Sequence, residues 1–234
     1  MSSDGVHPVI HRRAVTSTCP QEEGTTLAPT PYAALAVAMG FTTDFIGHID
    51  ITPSLNQAEQ AYLSAFSLTR HYDREEGPYY VSPNRYADQG DRDPERANQL
   101  APGQPQIWCR WVPCWDGCCL ALDGEEKIYQ PTRWLDYLAR HFLVPDAEAS
   151  RSGLAVFEDF TFDHRLDGLV LGCRRDNKQL FAIRVEDSVI TEEVLRPADA
   201  RYLDYPPLPY EEVIDRDRRQ SGRRRSAAKR LRSV

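Results

Sequence analysis

The sequence predicts an α+β fold: an antiparallel sheet of two three-stranded meanders plus an N-terminal strand, with two amphipathic helices packed on one face. Three observations carry this expectation. Two Asp-Gly pairs, Asp116-Gly117 and Asp123-Gly124, interrupt an apolar run from Ile107 to Tyr129, and Asp-Gly between apolar segments is a strong hairpin signal. A second set of short strand-like runs follows residue 157 with turn residues between them. Only two stretches have apolar spacing near 3.6, and they lie far apart, so the strand-helix alternation of a parallel sheet is missing.

In chain order, Phe41 to Ile51 alternates Phe45, Gly47, Ile49 and Ile51 against Asp44, Ile46, His48 and Asp50, the period of a half-buried strand, and Pro53 stops it. Ser54-Leu55-Asn56-Gln57 and Asn56-Gln57-Ala58-Glu59 both fit a helix start in which a polar cap and an amide or carboxylate three residues on satisfy orphan backbone N–H groups. The stripe Ala58, Tyr62, Phe66 and Thr69 carries that helix to about His71. Gly77 to Pro105, with five prolines, reads as a long loop, a candidate lid. The first meander is expected at Ile107–Val112, Cys118–Leu122 and Glu125–Tyr129, with the indoles of Trp108, Trp111 and Trp115 filling its core. Pro131 suits a first helical position, and Trp134, Leu135, Leu138, His141 and Phe142 extend a second helix to Val144-Pro145. After a linker at Asp146 to Gly153, strands are predicted at Leu166–Cys173, Leu180–Val185 and Val189–Leu195.

The expected organisation is a disordered extension over 1–38, one domain over 39–196, and a disordered Pro- then Arg-rich tail over 197–234. Met39 stands directly before the first strand and is a candidate biological start. A hydrophobic share of 41% with 27% charged residues suits an ordinary folded core and surface. No apolar run approaches the roughly 20 residues of a membrane-spanning helix, and no signal-peptide pattern opens the chain, so a cytoplasmic location without membrane contact is expected. Six cysteines in a cytoplasmic chain of 234 residues are expected to be free, mostly buried structural thiols. The net charge of −7 is unevenly spread: from Asp215 onward nine Lys/Arg face two Asp, leaving −14 on the first 214 residues.

Several residue groups invite a chemical reading. Cys109, Cys114, Cys118 and Cys119 have the spacing C-x4-C-x3-C-C, a poor match to the paired knuckles of a zinc site. Adjacent thiols on a strand point to opposite faces, so without a bulge at most one of Cys118 and Cys119 is expected to join Cys109 and Cys114. No metal and no cofactor is predicted on this basis. Cys109 as a nucleophile needs an imidazole, and no spacing supplies one. Asp163 and His164, beside Asp159 and Asp167, are candidates for acid-base work, against the plainer reading of a solvated turn. Phosphate-cradling, serine-elbow and zincin signatures are missing from the sequence. Trp108 and Trp111 are candidate partner contacts, and Arg223, Arg224, Arg225 and Arg230 suit a polyanion such as nucleic acid, against the plainer reading that the tail folds back on an acidic body.

Through the motif GQPxxWCxWVPxxDG at Gly103 to Gly117, the stretch GFTTDFIGHIDITPSLNQAEQAYL, the helix from Trp134 to Phe142 and LDGLVLGCRRD, the chain resembles a group of small uncharacterised proteins of actinobacteria and their phages. The likeness spans roughly Met39 to Leu195. That group has no established activity, so no site residue is carried over. It implies a start near Met39 and a cytoplasmic, mobile-element setting. The function expected is that of a non-enzymatic binding or accessory domain for a protein partner, with the basic tail as an auxiliary contact to nucleic acid or another polyanion. The alternative is an enzyme of unrecognised class with a site near Trp108, Trp111, Asp163 and His164.

Overall fold

A computed structural model describes residues 41–82, 98–125, 127–202, 208–217 and 219–220. The expected 1–38 extension and the Met39 start lie outside the described residues. Six strands form one antiparallel sheet: β1 Thr43–Thr52, β2 Trp111–Pro113, β3 Cys119–Leu122, β4 Arg165–Arg174, β5 Leu180–Glu186 and β6 Val189–Arg196. Their order is β2-β3-β1-β4-β5-β6, so the N-terminal strand joins a hairpin on one side to a three-stranded meander on the other.

The alternation in β1 has the face assignment its sequence predicts at Ile46, His48, Ile49, Asp50 and Ile51, whereas Asp44, expected on the polar face, is buried in its pair with Arg175. Ile49 and Ile51 are buried, Ile46 is exposed, and ten consecutive residues pair with β4 from Thr43↔Arg174 to Thr52↔Arg165. Glycine is required where these strands press closest. A Cβ at Gly47 (φ +116°) would lie 2.1 Å from the Leu169 carbonyl oxygen, and one at Gly168 (φ +146°) 2.7 Å from that of His48.

Helix α1, Gln57–Leu68, begins with the predicted capping box: the Glu59 N–H donates to the Asn56 side chain, and the Asn56 N–H donates to the Glu59 carboxylate. Helix α2, Pro131–Leu138, has proline at its start and runs into a π-helical turn, Ala139–Leu143. Both helices pack on the sheet face carrying Ile49, Ile51, Leu166, Val170 and Ile183, where Tyr62, Phe66, Trp134, Leu138 and Phe142 build the core. Rings of Tyr62, Phe66, Phe142 and Phe157 meet at centroid distances of 5.0 to 5.9 Å, the range of favourable edge and offset contacts.

Four expectations need correction. Among the described residues the first meander has two strands, because residue 125 and residues 127–129 lie outside the sheet. Gly124 turns them away, Ile128 enters the core, and the Tyr129 ring meets Phe41 edge-on at 5.4 Å. Strand β2 starts at Trp111 rather than Ile107 because Arg110 adopts φ +67°, which ends any extended run. The indoles diverge: Trp111 is fully buried, Trp108 is half-buried and Trp115 is 91% exposed. The tail is not wholly irregular, since 209–217 is a helix, α3. Its Glu211 makes a buried ion pair with Lys178, and its Asp215 pairs with Arg175 at 2.7 Å. Arg175 also grips Asp44 through two hydrogen bonds of 2.8 and 2.9 Å. These partners place α3 at the β4–β5 turn. Among the described residues no helix is long and apolar enough to cross a membrane.

Candidate functional site

The residues singled out in the sequence fall into separate neighbourhoods. His164 is buried, with Nδ1 2.7 Å from the Pro53 carbonyl and Nε2 3.2 Å from Glu59. Both ring nitrogens face acceptors, an arrangement only the imidazolium satisfies with two N–H donors. Burial opposes that charge, but the Glu59 carboxylate and the Pro53 carbonyl outweigh it and raise the His164 pKa. Glu59 is buried and also accepts from the Thr161 N–H at 2.8 Å and hydroxyl at 3.0 Å. Burial would raise its carboxyl, yet these donors and His164 hold it down at about 2. The pair clamps the start of α1 to the segment before β4. Asp163, more than half exposed, stands 4.0 Å from His164 Nδ1.

Cys109 is buried, and burial pushes its thiol up to about 12, the opposite of what a nucleophile needs. Trp111 donates its indole N–H to the Pro131 carbonyl at 2.8 Å and accepts the Ser67 hydroxyl at its own carbonyl, so it offers no surface to a partner. Trp108 lies between the guanidiniums of Arg70 and Arg110, 6.0 and 5.0 Å from its ring centroid. Its neighbours are not those of Asp163 and His164. The two ends of the predicted lid loop pack on the core: Tyr62 donates to the Tyr79 carbonyl at 2.8 Å, the Tyr79 hydroxyl meets His141 Nδ1 at 2.7 Å, and Gln104 donates to the Pro78 carbonyl at 2.7 Å. Residues 83–97 of that loop lie outside the described residues, as do Arg223, Arg224, Arg225 and Arg230.

Two features were not anticipated. The first is an open cleft of about 360 Å³ where the N-terminal end of α2 overhangs β1, β4 and β5. Phe41, Phe45 and Phe181 give it aromatic walls, with the Phe45 and Phe181 rings edge-on at 6.0 Å. The Arg174 guanidinium lies 3.6 Å over the Phe41 ring and is held there by Asp176 at 2.6 and 3.0 Å. Arg133 and the hydrogen-bonded Thr132–Glu192 pair complete the rim. No sequence spacing signals this cleft, because its walls come from five separate segments.

The second is a cluster of three thiols. Cys114, Cys118 and Cys119 bring their sulfurs within 4.8 Å of one another, and Cys114 and Cys118 are 3.6 Å apart. The expectation that Cys118 and Cys119 face opposite ways fails because β3 begins only at Cys119. Cys118 still belongs to the turn made by Gly117 at φ +74°, so strand alternation does not apply to it. Cys109 stands apart from the trio, buried in the core, and the expectation of mostly buried thiols fails for the other described cysteines: Cys114, Cys119 and Cys173 are half-buried and Cys118, in the turn, is exposed. No family model matches this chain, and no curated protein or solved structure matches it either.

Proposed function

We propose that this chain is a non-enzymatic binding domain for single-stranded nucleic acid, taking bases in the aromatic cleft and phosphates on the basic tail. One observation carries the reading. The ion pairs of Asp215 with Arg175 and of Glu211 with Lys178 moor α3 to the β4–β5 turn, next to Arg174 and Gln179 of the cleft. Helix α3, which the Arg-rich sequence follows in the chain, therefore lies at the cleft's end of the sheet. Aromatic rings with arginine beside them accept a base face of any sequence, and a cationic segment follows a phosphate backbone through counterion release. The enzymatic alternative loses its support in the separation of Trp108 and Trp111 from His164, whose hydrogen-bonding capacity is fully used within the fold.

The test is fluorescence anisotropy of labelled single- and double-stranded oligonucleotides across a salt series. The full chain is expected to prefer single strands, with affinity falling linearly on a logarithmic salt axis. Ending the chain at Gln220 is expected to flatten that slope, while Phe41→Ala lowers affinity roughly tenfold at every salt concentration, the loss of one stacking contact. Undetectable binding by the full chain would overturn the reading. Unchanged retention after truncation would instead assign the tail to neutralising its own acidic body.

A further inference from the structure

We infer that Cys114, Cys118 and Cys119 form a three-thiolate site for a zinc-class divalent cation, closed in the fourth position by the carboxylate of Asp116. The inference is independent of the nucleic-acid reading.

The turn is built in a way that converges these atoms. Strand β2 ends at Pro113, Cys114 follows it, and Asp116-Gly117 reverses the chain so that Cys118 and Cys119 return beside Cys114. Gly117 cannot be replaced cheaply, since a Cβ there would lie 2.7 Å from the Leu55 carbonyl oxygen and 2.6 Å from Gln60 Nε2. The turn is also tied from outside: the Leu55 N–H donates to the Gly117 carbonyl at 3.0 Å, and the Ile51 N–H to the Cys118 carbonyl at 2.8 Å. The turn that carries the thiols is therefore fixed by β1 and by the approach to α1 as well as by its own contacts.

Their spacing fits a metal. Zinc–sulfur bonds of about 2.3 Å at tetrahedral angles set the sulfurs roughly 3.8 Å apart. The Cys114–Cys118 separation is 3.6 Å, and all three sulfurs fall within 4.8 Å. The Cys119 N–H donates to Cys114 Sγ at 3.0 Å, a contact that stabilises a thiolate. Asp116 Oδ1 lies 3.0 Å from Cys114 Sγ and accepts the Cys118 N–H at 3.4 Å, which aims an oxygen donor at the cluster. Three sulfurs and one oxygen make a complete set for a borderline-soft, four-coordinate ion.

On binding, each thiol transfers its proton to solvent and its sulfur bonds the ion, so three protons are released per ion. Cys118 is exposed, which gives the ion a direct route in. The bound ion would cross-link the β2–β3 turn and orient Trp115, which projects from it between Cys114 and Asp116.

The test uses the full chain, reduced and freed of metal by a chelator, titrated anaerobically with cobalt(II) as a spectroscopic stand-in and then with zinc. One equivalent of cobalt is expected to produce sulfur-to-cobalt charge-transfer absorption and the visible bands of a tetrahedral ion, with quenching of tryptophan emission, all reversed by zinc. Cys118→Ser and Cys119→Ser are each expected to abolish the bands with unchanged circular dichroism, and Cys173→Ser to keep them. Asp116→Asn is expected to weaken cobalt binding at least roughly tenfold. Absence of the bands in the reduced full chain, or their persistence in Cys118→Ser, would overturn the site. Equal affinity in Asp116→Asn would overturn the carboxylate's part in it.

Discussion

Removing the Glu59 carboxylate tests whether the His164 pair is a structural clamp. In Glu59→Ala the imidazolium of His164 loses its carboxylate partner and keeps the Pro53 carbonyl and the Thr161 hydroxyl oxygen, and the N–H groups of Asn56 and Thr161 lose the oxygens they donate to. Breaking one side of a buried pair costs about 3–5 kcal/mol. Holding a carboxyl at about 2 against an ordinary value of 4.5 corresponds independently to about 3 kcal/mol, at roughly 1.4 kcal/mol per pH unit. The two routes agree, and the loss is a substantial part of the 5–15 kcal/mol typical of a domain. The pH dependence has a definite shape. Glu59, depressed in the folded state, stabilises fully above 4.5 and loses that contribution as pH falls toward 2. His164, raised in the folded state, stabilises fully below 6.5 and loses its contribution as pH climbs through the raised value. The stability difference between wild type and Glu59→Ala is therefore expected to be greatest between about pH 4.5 and 6.5 and to shrink on both sides. Urea unfolding followed by circular dichroism across that range measures it, and a double-mutant cycle with His164→Ala is expected to show coupling of at least about 1 kcal/mol. A cost below about 1 kcal/mol, or one that does not vary with pH, would refute the clamp.

Two further outcomes follow from the geometry. Gly168→Ala is expected to lower unfolding stability by about 1–3 kcal/mol, because φ +146° is a glycine conformation and the new Cβ would press on the His48 carbonyl; wild-type stability would contradict the close β1–β4 approach. Glu211→Ala leaves Lys178 buried without its carboxylate, so α3 is expected to detach and limited trypsin digestion at Arg216 to accelerate at least roughly tenfold, as read by mass spectrometry. An unchanged digestion rate would show that α3 is not docked.

Much of the secondary structure was legible because its signals are local. The capping box at Asn56 and Glu59 and proline at position 131 marked helix starts, and period-2 runs placed β4, β5 and β6 to within a residue or two of their observed bounds. Local signals also misled. Asp123-Gly124 looks like a hairpin turn, but the chain turns out of the sheet there because Ile128 and Tyr129 find apolar neighbours over the core face. Strand alternation separated Cys118 from Cys119 on paper, whereas the turn at Gly117 delays the strand by one residue and brings both thiols together.

What the sequence determined by itself was the class of fold and the run of its elements, since backbone periodicity, caps and turns depend on residues a few positions apart. The tertiary structure decided which tryptophan is buried, that Glu59 meets the backbone of Thr161 across 102 positions, that α3 is moored beside an aromatic cleft, and that three sulfurs converge. Those features depend on segments remote in the chain that meet only when β1 is sandwiched between β3 and β4, and no periodicity records such meetings.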